Sequence, residues 1–216
     1  MKRYLLCLLT VLATGAASLA QVGDKHTDDK NHHVIVPLMR DGKAASRGRN
    51  GYEIVSGNPE VPGAPFVIRI HNYDNQVLPP HWHPEDEHIV LVKGTWYLAA
   101  GDTWDRSAMR EMNVGDYVFV PKQMRHFGLS KGETVVQIHG IGPFKTIMAD
   151  PWMFLTDPKA ADHFKFKVNE PAKSKRGEGV IRWGVYSEKN KITQYAVEKK
   201  DGYVFFEFEG ELERVR

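Results

Sequence analysis

Between Tyr52 and Gly140 the chain offers one strand-length run after another and no long helical period. The runs are Tyr52 to Ser56, Phe66 to His71, Glu87 to Val92, Thr95 to Ala99, Asp116 to Val120 and Thr134 to Gly140. Turn-forming residues separate nearly all of them. Short apolar-polar alternations that recur at this spacing close into a sandwich or small barrel, because alternating β-α units would need helical stretches between the strands. The predicted fold class is therefore all-β, a sandwich or small barrel.

The flanks read differently. Lys2 and Arg3, the apolar run from Tyr4 to Ala13 and the small residues ending Ser18-Leu19-Ala20 have the form of a secretory leader, residues 1–20. The expected location is secreted or periplasmic. Cys7, the one cysteine, falls in that leader, so the mature chain would hold no disulfide. Residues 21–33 are polar and form the expected flexible N-terminal arm, and a first strand is expected at His33-Val-Ile-Val-Pro-Leu38. The barrel is assigned to residues 34–149. The leader also carries the charge excess: without Lys2 and Arg3 the basic residues fall from 29 to 27, matching the 27 acidic ones. No partner among nucleic acids is expected, nor a membrane once the leader is removed.

Ala100 to Asn113 breaks the strand rhythm, and Trp104 and Met109 suggest a loop folded over the barrel. Residues 150–179 read as a linker, with a short helix at Pro158 to His163 and solvated charge at Lys173 to Arg176. Residues 180–216 give a small three-stranded β-meander: Val180 to Tyr186, Lys191 to Lys199 and Tyr203 to Glu209, with a hairpin turn at Asp201-Gly202. In its last strand Phe206, Phe208 and Leu212 alternate with Glu207, Glu209, Glu211 and Glu213. A sheet this small is unstable alone, so its apolar face must cover the barrel or a partner subunit.

The chemistry is concentrated in His81-Trp82-His83-Pro84-Glu85-Asp86-Glu87 and in His126. Ten histidines in 216 residues would give roughly half a His-x-His pair by accident, so the context has to carry the motif. Pro79 and Pro80 stiffen the approach, and Pro84 biases His83 toward extended backbone. After the corner, Glu87, Ile89 and Leu91 share one face of a strand, which points Glu87 inward and His88 outward. Three imidazoles with one carboxylate suit a single divalent transition metal, Mn, Fe, Zn or Ni. The four would leave a coordination position for water, dioxygen or a chelating substrate.

These residues resemble the two sequence motifs of the cupin superfamily. The first, a glycine followed by His-x-His, a glutamate and a second glycine, is matched at His81, His83, Glu87 and Gly94, with Asn75 where the leading glycine is expected. The second is similar to Gly115-Asp-Tyr-Val-Phe-Val-Pro121-Lys-Gln-Met-Arg-His126, with Gln123 replacing a glycine and Ser130 the final asparagine. Asn75 tolerates positive φ; Gln123 does so less readily. The resemblance spans residues 52 to 148, looks like small secreted bacterial single-cupin proteins, and implies an antiparallel, jelly-roll-like β-barrel with a metal inside it, and a homodimer. It leaves the reaction open.

Gln137 and His139 share the face of their strand opposite Val136 and Ile138. If that face lines the cavity, they are the candidate catalytic residues; if it lies outside, they are surface groups. His71, His88 and Arg125 are weaker candidates. The function expected is a metal-dependent oxygenase (a dioxygenase among the possibilities) or isomerase/lyase acting on a small oxygen-rich molecule. The alternative is a non-catalytic cupin that binds a small ligand or metal outside the cytoplasm.

Overall fold

The computed structural model describes residues 52–215, and the expected leader, polar arm and first strand lie outside them. Eight strands make the first sheet: β1 (Glu53–Gly57), β2 (Pro65–Asn72), β3 (Val77–Trp82), β4 (Glu87–Ala100), β5 (Arg110–Met112), β6 (Tyr117–Val120), β7 (His126–Ile141) and β8 (Ile147–Met148). Their order is β1-β2-β7-β3-β8, and β4 pairs antiparallel with β5, β6 and β7.

Strand β7 is the hub. It pairs with β2 over Thr134 to Ile141, with β3 over His126 to Leu129, and with β4 from Gly140 back to His126. Strands this long must bend to close a barrel, and β4 bends at Gly94. There φ is +81°, and a Cβ would lie 2.4 Å from the Glu133 carbonyl oxygen. The register with β7 slips on both sides of Lys93.

Alternation along β4 is as expected: Glu87, Ile89 and Leu91 are buried and His88 is exposed. Ile89 and Leu91 join Ile68, Trp96, Val136 and Ile138 in the barrel core. Burying each large apolar side chain contributes about 1.5–3 kcal/mol, which fixes the register, because a one-residue slip would turn the whole set to water.

The second sheet has six strands, where the sequence suggested three. They are β9 (Met153–Phe154), β10 (Pro171–Ser174), β11 (Gly177–Ser187), β12 (Ile192–Glu198), β13 (Val204–Phe208) and β14 (Glu213–Arg214). The order is β13-β12-β11-β10-β14, with β9 also on β11. The expected linker is thus partly sheet: β9 pairs with Val185 and Tyr186, and β10 forms a hairpin with β11 around Lys175 and Arg176. The short helix at Pro158–His163 is present as a 3-10 helix, capped by the Asp157 side chain on the Lys159 N–H. Arg176 is not simply solvated, since it pairs with Asp74 on the barrel and Glu207 on β13.

One face of this sheet does cover the barrel. Val185 and Ile192 pack with Val77, Leu129 and Trp152, and Trp104 and Met109 close the same cluster, as their loop suggested. Gln194, fully buried, accepts the Val77 N–H at 3.0 Å and donates to the Asn75 carbonyl at 2.7 Å. The opposite face gathers Phe166, Ile181, Tyr195, Val197, Phe205 and Leu212. Leu212 therefore belongs with Phe205 and not with Phe206 and Phe208, because a 3-10 turn at Glu209–Glu211 breaks the alternation.

Candidate metal centre

Local sequence delivers each ligand. Pro79 and Pro80 interrupt the β3–β7 ladder, and pairing resumes with His81 opposite His126. Pro84 to Asp86 turn the chain, which returns as β4 with Glu87 pointing inward. The Asp86 carboxylate accepts the Lys122 N–H at 2.7 Å, and the Gln123 N–H donates to the His83 carbonyl at 2.8 Å. These two bonds clip the first motif to the second. Both non-glycine substitutions adopt the glycine-like conformation, φ +60° at Asn75 and +63° at Gln123. Ser130, in place of the asparagine, is buried, donates to the Tyr73 carbonyl and accepts the Gln76 N–H at 3.0 Å.

The structure brings the predicted quartet together. The ligand atoms of His81, His83 and His126 all lie within 4.8 Å of one another. Glu87 places Oε1 3.4 Å from His83 Nε2 and Oε2 3.7 Å from His126 Nε2. All four are buried, Glu87 and His126 to 2% exposure.

Each imidazole is held by a backbone carbonyl at Nδ1. His81 uses Pro79 at 2.7 Å, His83 uses Lys145 at 2.9 Å, and His126 uses Met124 at 3.1 Å. A carbonyl only accepts, so each Nδ1 carries the proton and each Nε2 presents a lone pair. Both Glu87 oxygens are buried without a hydrogen-bond partner. An orphaned carboxylate beside three imidazole lone pairs is a donor set of the kind a divalent cation satisfies.

The electrostatics agree. Burial, then the neighbouring His126 and His83, holds His81 well below the usual imidazole range. Burial, then His126, pushes His83 down to about 4, and burial lowers His126. All three are neutral near pH 7, the form a metal needs. Burial pushes the Glu87 carboxyl up to about 8. A bound cation would reverse that last shift, because an adjacent positive charge favours the ionised form.

In front of the ligands lies a cavity of about 70 Å³, walled mainly by Ile89, Trp96, Val136, Ile138 and Phe144, with Asn72 and Thr146 as its other polar side chains. The other predicted residues are elsewhere. His139 is exposed and Gln137 half-buried on the outer face of β7, opposite Val136 and Ile138. Gln137 accepts from Arg69 Nε at 3.0 Å and meets the His139 ring nitrogen at 3.0 Å. Of the two faces open to them, the outer one is theirs, and neither is among the described residues that line the chamber.

His88 is exposed and bonds Tyr117 at 2.7 Å, His71 sits 3.3 Å from Glu53, and Arg125 is exposed. Phe144, whose ring stacks on His83 at 4.9 Å and 12°, carries no signal in the sequence. It follows the second motif in a loop without strand pattern. The carbonyls of Pro79 and Met124 stand two residues before their histidines, an offset that is readable in retrospect.

No family model matches the chain, and no curated protein does. Solved structures do. An uncharacterised conserved protein with a double-stranded β-helix domain from Klebsiella pneumoniae is 15% identical, covering 46% of this chain and 84% of its own, at a TM-score of 0.37. An RmlC-like cupin from Desulfovibrio desulfuricans is 17% identical, covering 51% and 97%, at 0.38. KdgF from a Halomonas species is 17% identical, covering 42% and 77%, at 0.34. In its strand pairing and in the placement of the two motifs, the described barrel resembles the cupin fold.

Proposed function

We propose that this protein binds one divalent transition metal through His81, His83, Glu87 and His126. We further propose that it is a metal-dependent enzyme, an oxygenase or an isomerase/lyase, acting on a small oxygen-rich molecule. The observation that carries the reading is the Glu87 carboxylate, whose two oxygens are buried and unpartnered beside imidazoles whose free Nε2 atoms converge. Burying such a group unpaired costs about 1–3 kcal/mol, a cost a chain retains where the group has a use.

When bound, the ion supplies Lewis-acid polarisation and a template for chelation, and a redox-active ion also supplies electrons for dioxygen chemistry. The chain's own residues do the rest. The three carbonyls fix the imidazole tautomers, the clip between Gln123 and His83 fixes the half-sites relative to each other, and the apolar wall excludes water. Asn72, which lines the chamber, donates its amide to Thr134 Oγ1 at 3.1 Å, which leaves its carbonyl oxygen to orient a ligand.

The test is elemental analysis of protein purified without a His tag, joined to oxygen uptake and product analysis with catechols, diketones, flavonols, sugars and organic acids. His83→Ala and Glu87→Gln should lower occupancy and turnover together. Full turnover by metal-free protein rejects the reading.

A second reading, a non-catalytic cupin that binds a ligand or metal, is favoured by one observation: among the described residues, no ionisable side chain other than the four ligands lines the chamber. Binding without conversion of any candidate would select it. We also propose export, on the leader residues, and a homodimer. The apolar face of the second sheet is covered by the barrel and so lends the dimer no support; the dimer rests on the resemblance. A monomer by sedimentation would reject it.

A further inference from the structure

Two cavities meet at Phe144. The inner one, about 70 Å³, is the chamber before the metal ligands; the outer one, about 450 Å³, is a cleft whose rim includes Tyr52, Glu60, Pro143 and Lys145. Ile70, Phe144 and Thr146 line both and so form the partition. Phe144 is the bulkiest of the three. Its ring lies flat on His83 and meets Tyr52 and Phe66 edge-on, at centroid distances of 5.7 and 5.5 Å.

Ligand clefts usually run from about 300 to 1,000 Å³, and a water takes about 30 Å³ of liquid. The inner chamber falls well short of the first figure, whereas the outer cleft lies within it. We infer that Phe144 is the size-selecting wall of the metal chamber, so that molecules of a few heavy atoms reach His81, His83 and His126 past it, and larger ones only when its ring leaves His83 for the outer cleft. The chemistry of the walls narrows the class further. With no Lys or Arg among the described residues of the inner chamber, the part of a ligand that enters is a compact chelating group, neighbouring oxygens without a second ionic centre, and any larger body lies against Phe144 outside. The identity of what binds behind the wall rests on the proposed metal function; the wall itself does not.

The test uses metal-free full-length protein and diethyl pyrocarbonate, a reagent too bulky for the inner chamber, with modification of each histidine followed by peptide mass mapping. Exposed His88 and His139 serve as internal references. In the unsubstituted protein His81, His83 and His126 should react slowly. Phe144→Ala should accelerate those three roughly tenfold or more, as expected for removing a ring that stands open about a tenth of the time or less, and leave the references unchanged. Phe144→Leu should fall between, and it carries the test if the alanine variant fails to fold. Unchanged rates for the three in a folded variant, or rates in the unsubstituted protein equal to that of His139, would overturn the inference. Failure of the metal reading would appear separately, as absence of metal in freshly purified protein.

Discussion

Gln194 on β12 accepts the backbone N–H of Val77 on β3 at 3.0 Å, so a side chain of the second sheet completes the hydrogen bonding of the barrel. The same amide donates to the Asn75 carbonyl, and Asn75 donates back to the Phe206 carbonyl at 3.0 Å. Barrel and sheet are joined by buried polar bonds as well as by apolar packing. Gln194→Leu should cost about 2–4 kcal/mol in urea unfolding, because two buried backbone groups lose partners worth about 1–3 kcal/mol each. A loss below that of an ordinary surface substitution would show that the amide is not needed.

Glu87→Met should raise the melting temperature of metal-free protein and abolish the rise that added metal produces. The reason is the pair of unpartnered buried oxygens, which cost about 1–3 kcal/mol where nothing satisfies them. Calorimetry with and without divalent metal checks both halves.

Metal binding at pH 7 should release close to one proton. The Glu87 carboxyl, pushed up to about 8, holds its proton there and must lose it to coordinate, whereas the three imidazoles, all lowered, have none to give at Nε2. Titration calorimetry in buffers of different ionisation enthalpy measures the count. As pH rises through about 8 the release should fade and the apparent affinity should level off.

Gln123→Gly should stabilise the protein by about 1 kcal/mol, since Gln123 sits at φ +63° with only its backbone tied to His83. Asn75→Gly should not, despite its similar φ, because the Asn75 amide holds Phe206. Denaturant unfolding of the pair separates backbone relief from side-chain bonding.

Glu207 should make the protein less stable as pH rises from about 4.5 to about 7. Burial, then a hydrogen bond with Glu211, pushes its carboxyl up to about 7, so within that window the folded chain keeps a proton the unfolded chain has lost. Its contribution is complete below the unfolded value and gone above the folded one. Glu207→Gln should flatten this part of the stability profile.

How much of this was legible in the sequence varied with the local physics. Alternation along β4 put Glu87 inside and His88 outside without coordinates, because a half-buried strand has a period of two. The same rule placed Gln137 and His139 on one face of β7 but not on which one, since that depends on what covers the strand. Leu129, earlier in β7, packs against the second sheet, while His139 meets solvent. The stretch from residue 150 to 179 hid its strands because β9 and β10 span two and four residues, too few to show alternation. Gln123 looked unsuited to a glycine position, yet the bond from its N–H to the His83 carbonyl lies in the backbone, where any residue but proline can make it.

The carbonyls that grip His81, His83 and His126 belong to the chain and not to a cation, so the aim of the imidazoles is set when the polypeptide folds. Stripping the centre with a chelator should leave an intact shell, ready to be refilled. One preparation could then be loaded in turn with manganese, iron, nickel or zinc, and differences between the products would reflect the ion alone.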